Sequence, residues 1–119
     1  MDNDDLIINN ILNHMIYKIE YEEIKKIETF KLHYYCTFNN TELCIQLISE
    51  NFADVTKIDD NGNSLFIIAA TNNNTSLMNK LLDTNKVDIS QINKNGFSAI
   101  YFIKNFNNEK ILNRIKRLL

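Results

Sequence analysis

The chain has 119 residues, 45% hydrophobic and 24% charged, with a net charge of −2. That length fits one domain with a modest core and leaves no room for a deep cavity inside packed layers. So small a charge excludes the basic field that draws nucleic acid or anionic lipid, and no apolar run approaches the ~18 residues of a membrane span.

The first residues, MDNDDLIINN, are acidic, whereas a secretory signal begins with positive charge and a long apolar core. The expected compartment is the cytoplasm. Cys36 and Cys44 fit that reducing setting as small core side chains. Over residues 4–16, Leu6, Ile7, Ile8, Ile11, Leu12, Met15 and Ile16 follow Asp4 and Asp5. This is the pattern of an amphipathic helix whose acids suit its N-terminal dipole. The helix is expected to pack as a cap, with residues 1–18 forming a half repeat joined by a short linker to the remainder of the chain.

From residue 19 onward the chain repeats itself. Sliding it by 34 residues puts Gly62 on Gly96, Asn61 on Asn95, Asp54 on Asp88 and Leu47 on Leu81. Leu43 falls on Leu77 and Ile111, and Asn39-Asn40 falls on Asn73-Asn74 and Asn107-Asn108. The matches include Gly, Asp and Leu, so a bias toward Asn and Ile, whose codons are A/T-rich, does not produce them. Within a unit, Asp60-Asn61-Gly62 or Lys94-Asn95-Gly96 marks a tight turn, because Asn and Gly tolerate positive φ. Ser64 or Ser98 then N-caps a short apolar helix at 65–70 or 99–104. The Asn-Asn pair breaks that helix. A second helix comes next, with Leu77, Met78, Leu81 and Leu82 on one face. An extended arm through Asp54-Val55 or Asp88-Ile89 leads to the next turn. Ile24, Ile58 and Ile92 recur at one place in the unit, which predicts packing from finger to finger. The units run over about 19–52, 53–86 and 87–119.

A turn and two antiparallel helices in about 33 residues is the ankyrin unit. The stretch from Asp59-Asp60-Asn61-Gly62 through Ser64-Leu65 to Ala69-Ala70 resembles the opening half of that family's pattern. Ala53-Asp54-Val55-Thr56 and Val87-Asp88-Ile89-Ser90, each after a Leu-Ile or Leu-Leu pair, resemble its closing half. Leu32-His33 stands where the family has Leu-His. The chain departs by lacking Thr-Pro and by using Asn39 and Asn73 for glycine, a replacement that left-handed backbone accepts. It also has Glu28 where the first turn glycine belongs, so the first finger is expected to be irregular.

The resemblance implies an all-α ankyrin-repeat solenoid of about three helix-turn-helix repeats, with hairpin-like fingers and an N-terminal capping helix. It further implies a non-catalytic module that binds a partner protein through its fingertips and first-helix face, with no cofactor, nucleic acid or membrane. Carried over by position, the contacts fall on Thr37 and Phe38 in the first repeat. In the second they fall on Ile58, Asp60, Asn61, Asn63, Thr71 and Asn72, and in the third on Ile92, Lys94, Asn95, Phe97, Asn105 and Phe106. Phe97 is expected to be exposed, while Phe38 and Phe106 fit either loop packing or the edge of the binding face. Small Asn/Ile-rich ankyrin proteins of large DNA viruses and intracellular bacteria are similar, which implies a host protein as partner. The alternative is an assembly subunit, or a piece of a longer array, that joins copies through its open C-terminal helix at Leu118-Leu119.

Reaction chemistry finds little support. His14 and His33 are the only histidines, and Cys36 lies three residues from His33 on one short helix, at a position that suits core packing. A zinc site from His33, Cys36 and Cys44 lacks a fourth ligand at a sensible spacing. No phosphate-binding or metalloprotease motif is present. The rings Phe30, Tyr34, Tyr35 and Phe38 fit a core stripe with one or two exposed members better than a base-stacking platform.

Overall fold

A computed structural model describes residues 3–119. It contains α1 (Asn3–Thr37), α2 (Thr41–Ser49), α3 (Leu65–Thr71), α4 (Thr75–Asp83), α5 (Ala99–Asn105) and α6 (Glu109–Leu118). The described residues form no strand, and none of their helices is long and apolar enough to cross a membrane. The last turns of α1 pair with α2, α3 pairs with α4, and α5 pairs with α6. The first helices stack in the order α1, α3, α5 and the second in the order α2, α4, α6. This is an all-α repeat solenoid.

The core runs along the stack. It takes Leu32 and Cys36 from α1, Cys44, Leu47 and Ile48 from α2, and every residue of α3 from Leu65 to Ala70. Val55 after α2, Leu77, Met78, Leu81 and Leu82 of α4, Ala99 and Ile103 of α5, and Ile111 and Ile115 of α6 complete it. α3 is buried all round because it lies between α1 and α5 and against α4.

The Asn-Asn corners are built from asparagine chemistry. Asn39, Asn73 and Asn107 hold φ of 59°, 50° and 54°, the left-handed region where asparagine substitutes best for glycine. Asn40, Asn74 and Asn108 are N-caps whose side chains accept from the backbone N–H of Leu43, Leu77 and Ile111. The same caps bond sideways. Asn74 Nδ2 donates to Asn39 Oδ1 at 2.8 Å and to Thr41 Oγ1 at 2.6 Å, and Asn108 Nδ2 donates to Asn73 Oδ1 and Thr75 Oγ1, both at 2.9 Å. Each corner therefore ends one helix and starts the next, and the second and third also tie their repeat to the one before. Asn51 and Asn85, also at positive φ, terminate α2 and α4, a use that codon bias alone would not place. Ser64 caps α3 as expected, bonding Ile67 N at 3.1 Å, but Ser98 makes no such bond at α5.

The N-terminal expectation is overturned. The linker and the first finger do not form, because α1 is one unbroken helix of 35 residues. Nothing between residues 17 and 30 stops it: no proline or glycine occurs there, and Glu23–Lys26 and Glu28–Lys31 support it as i, i+3 pairs. Residues 3–24 of this helix are exposed, so they do not cap the array as a half repeat. Where this stretch does meet another segment, Tyr21 stands edge-on to Phe52, with ring centroids 4.9 Å apart. The molecule is consequently elongated, 69 × 27 × 25 Å.

Candidate partner-binding site

Each finger is a small turn braced by one side chain. In the second finger, Asp59 Oδ1 accepts from Asn61 N at 2.9 Å and Asn63 N at 2.8 Å, while Gly62 N donates to Asp59 O. In the third, Asn93 Oδ1 plays the same part for Asn95 N and Phe97 N, both at 3.0 Å. Further back, Asp54 accepts from Thr56 N and Oγ1, and Asp88 accepts from Ser90 in the same way. The Thr56 hydroxyl bond is the main reason the Asp54 carboxyl sits below its ordinary pKa.

The two fingers join edge to edge. Lys94 N donates to Asn61 O at 3.0 Å, and Asn93 Nδ2 donates to Asn63 Oδ1 at 3.1 Å. Gly62, at φ +75°, permits this approach, since a Cβ there would stand 3.0 Å from Lys94 N. The expected packing through the recurring isoleucines is absent. Ile24 lies on α1, where no finger forms, and is 49% exposed; Ile58 and Ile92 are 44% and 58% exposed, because the two fingers meet through their turn backbones.

The opposite edge of the second finger has no second turn paired with it among the described residues. Lys94 N of the third finger has its counterpart in Asp60 N, which has no hydrogen-bond partner among the described residues. A first finger would have lain there, and α1 runs straight past the place. What remains is an open groove of about 640 Å³ between α1 and the second finger. Lys25, Lys26 and Phe30 line the helix side, and Lys57, Ile58 and Asp60 line the finger side. With Glu22, Asp54 and Asp59 also present, the groove carries both signs of charge along its rims.

Two bonds fix the groove's base. Thr29 Oγ1 donates to Lys25 O at 2.7 Å and accepts from Asp54 N at 2.8 Å. His33 Nε2 lies 2.8 Å from Lys57 O, a carbonyl, so Nε2 carries the proton and donates. Burial holds the His33 pKa below its usual value and outweighs the opposing effect of that hydrogen bond. His33 is thus the structural histidine that its Leu-His setting implied.

Thirteen of the fourteen expected contact residues are exposed, the exception being Asn63, which is half-buried and spent on the bond from Asn93. They fall into two groups. Ile58, Asp60, Asn61, Ile92, Lys94, Asn95 and Phe97 lie on the fingers, while Thr37, Phe38, Thr71, Asn72, Asn105 and Phe106 lie at the far ends of the first helices. α3 exposes nothing between them before Thr71, so the expected face is interrupted at the second repeat. Thr37 and Thr71 turn their hydroxyls back to His33 O and Ile68 O, and Asn72 Nδ2 reaches Cys36 O at 3.5 Å. Phe38 leans on Tyr34, with centroids 4.7 Å apart and two thirds of its surface open, and Phe106 is about half exposed. Neither is core. Phe97 is open at its outer side and stacks on Tyr101 at 4.4 Å. Sequence reasoning missed the α1 wall of the groove, Lys25, Lys26 and Phe30, and Glu28 at the turn-glycine position was the signal for it.

The sulfur chemistry is also explained. Cys36 and Cys44 are both fully buried between α1 and α2, with Sγ atoms 3.1 Å apart. The bond to Cys44 and burial push the Cys36 thiol far above its ordinary pKa, the reverse of what a nucleophile needs. His33 makes its hydrogen bond to Lys57 O, not to Cys36. Among the described residues no group of three His, Cys, Asp or Glu side chains is gathered as a metal site.

No curated protein and no solved structure matches the chain. A family model described as ankyrin repeats (3 copies) matches residues 32–116, the span over which the three helix pairs stack. Ankyrin repeats are generally non-catalytic protein–protein interaction modules. By that match and by the repeated corners and fingers, the chain belongs to the ankyrin-repeat family.

Proposed function

We propose that this chain binds a partner protein through its finger edge, without catalysis, and that the partner enters the groove between α1 and the second finger. The carrying observation is the unpaired Asp60 N–H beside exposed Ile58 in a groove of about 640 Å³. The third finger satisfies the equivalent N–H with a carbonyl, so a partner segment that lays its own backbone carbonyl there makes a bond this fold already uses. Phe30 and Ile58 supply apolar contact, and the mixed rim favours a segment carrying both charges. Phe97 and Phe106 extend the face as aromatic anchors. We further propose a cytoplasmic setting, and a host protein as partner if the chain is a viral or bacterial factor. The buried free thiols support the first of these.

The test is affinity capture from lysate with the native chain, Ile58→Asp, and Phe97→Ala plus Phe106→Ala. Retained native helicity shows that each variant folds. A protein that the native chain retains and Ile58→Asp loses supports the groove, and one retained equally by all three overturns the reading. A second reading, assembly through the C-terminal helix, has one observation behind it: Leu118 and Leu119 are 54% and 92% exposed. Concentration-dependent sedimentation that disappears in Leu118→Lys would establish it.

A further inference from the structure

We infer that the exposed first part of α1 is a dimerisation arm, pairing through one apolar stripe with the same stripe of a second copy of this chain. At 100° per residue, Ile8, Ile11, Leu12, Met15, Ile16 and Ile19 share one side of the helix. All six are about half exposed, the exposure of a helix standing alone. The stripe is only partly in line with the array's core. The row that carries Thr29, Leu32 and Cys36 into the core runs back through Lys25, Glu22 and Lys18 before it reaches Met15 and Ile11, and the stripe's centre lies roughly a quarter turn away. A further repeat stacked on the array would meet those three charges first and leave Leu12, Ile16 and Ile19 open.

Surface area supports a missing partner. The chain exposes 8022 Å², whereas a compact monomer of 14.0 kDa exposes about 6,700 Å². The six side chains offer roughly 80 Å² each, so a symmetric pair buries about 1,000 Å² in total, the lower limit of a specific interface. The arm's composition adds to this. Asn9, Asn10 and Asn13 together with Ile7, Ile8, Ile11, Ile16 and Ile19 are mediocre helix formers, and a lone helix of such residues is marginal in water. Burying the stripe adds to its stability.

The charges select a second copy over a lipid surface. Residues 6–17 contain no Asp, Glu, Lys or Arg, so two stripes meet without like charges opposing. The other side carries Asn9, Asn10, Asn13 and His14, with Leu6 and Tyr17 among them, instead of the Lys and Arg that anchor interfacial helices to anionic lipid. A symmetric pairing needs only the same patch twice.

Sedimentation velocity of the full chain from about 1 to 200 µM tests this, because an interface near 1,000 Å² sits at the weak, reversible end of specific association. The native chain is expected to pass from monomer to dimer. Ile11→Lys plus Met15→Lys is expected to stay monomeric, with pairing weakened at least ~10-fold; lysine is a good helix former, so circular dichroism separates loss of pairing from loss of the helix. Leu118→Lys is expected to dimerise like the native chain. A native chain that is monomeric throughout, or a dimer that survives the double substitution, overturns the proposal. Stripe-dependent capture of a monomer by neutral phosphatidylcholine vesicles also overturns it. Because no partner protein is present, the outcome is independent of the groove.

Discussion

The arm and the array are both helical and both rich in asparagine and isoleucine, yet the same residues do different work in each. In the array, Asn73 bends the chain at positive φ, Asn74 caps α4, and Asn74 also bonds back to the preceding corner. In the arm, Asn10 and Asn13 occupy exposed turns of a continuous helix. Array isoleucines such as Ile67, Ile103 and Ile111 are buried, whereas those of the arm are about half open. Composition therefore says little about either region. Position relative to a neighbouring repeat decides what a residue contributes.

The sharpest way to break this contrast is to remove buried volume on each side of it. Phe66 is 1% exposed and lies in the middle helix of the stack. Phe66→Ala is expected to cost about 3–5 kcal/mol in urea unfolding, enough to unfold a small array. Ile11→Ala in dilute protein is expected to change stability by no more than about 0.5 kcal/mol. Comparable losses from the two would mean that the arm packs on the array after all.

Asparagine supplies the next comparison. Asn74→Ala removes a cap and two ties between repeats and is expected to cost about 1–2 kcal/mol. Asn10→Ala puts a better helix former on an exposed turn and is expected to raise helicity slightly by circular dichroism. Arg114 tests the array's far end. Its guanidinium donates to Asn79 O, Asn79 Oδ1 and Asp83 Oδ1, clamping α6 to α4. Arg114→Ala is expected to cost about 1 kcal/mol and to speed amide exchange in α6 before α4.

The array was legible in sequence because its devices are local and repeated. Asn-Asn corners, Asp- or Asn-braced turns and Leu faces recur at a fixed spacing, so each copy supported the reading of the others. The arm was not. Its apolar pattern correctly gave a helix, but whether that helix ended before the first repeat depended on a stop signal. The stop was missing, and Glu28 in place of the turn glycine was the visible sign. The groove arose from the same absence, and no local pattern marks a space left by an element that fails to form. The isoleucines at 24, 58 and 92 misled for a related reason. Ile58 and Ile92 hold equivalent places on their fingers and are both exposed, whereas Ile24 has lost that place to the continuous α1.

The smallest expected effect concerns the seam between arm and array, at His33. Its neutral form is favoured in the folded chain, because burial penalises the charge and Nε2–H is already committed to Lys57 O. The folded pKa lies below the unfolded value of about 6.5, so the unfolded chain binds more protons in the acid range. This part of the stability is complete above that pH and is lost as the pH falls through the folded pKa. Asp54, lowered chiefly by its bond from Thr56, acts in the same direction at still lower pH. Urea midpoints are therefore expected to decline on acidification from about pH 6.5. His33→Gln keeps a donor near Lys57 O without titrating, and it is expected to remove the upper part of that decline while leaving the Asp54 part. A decline unchanged in His33→Gln would place the titrating group elsewhere and would detach the groove's base from the pH response.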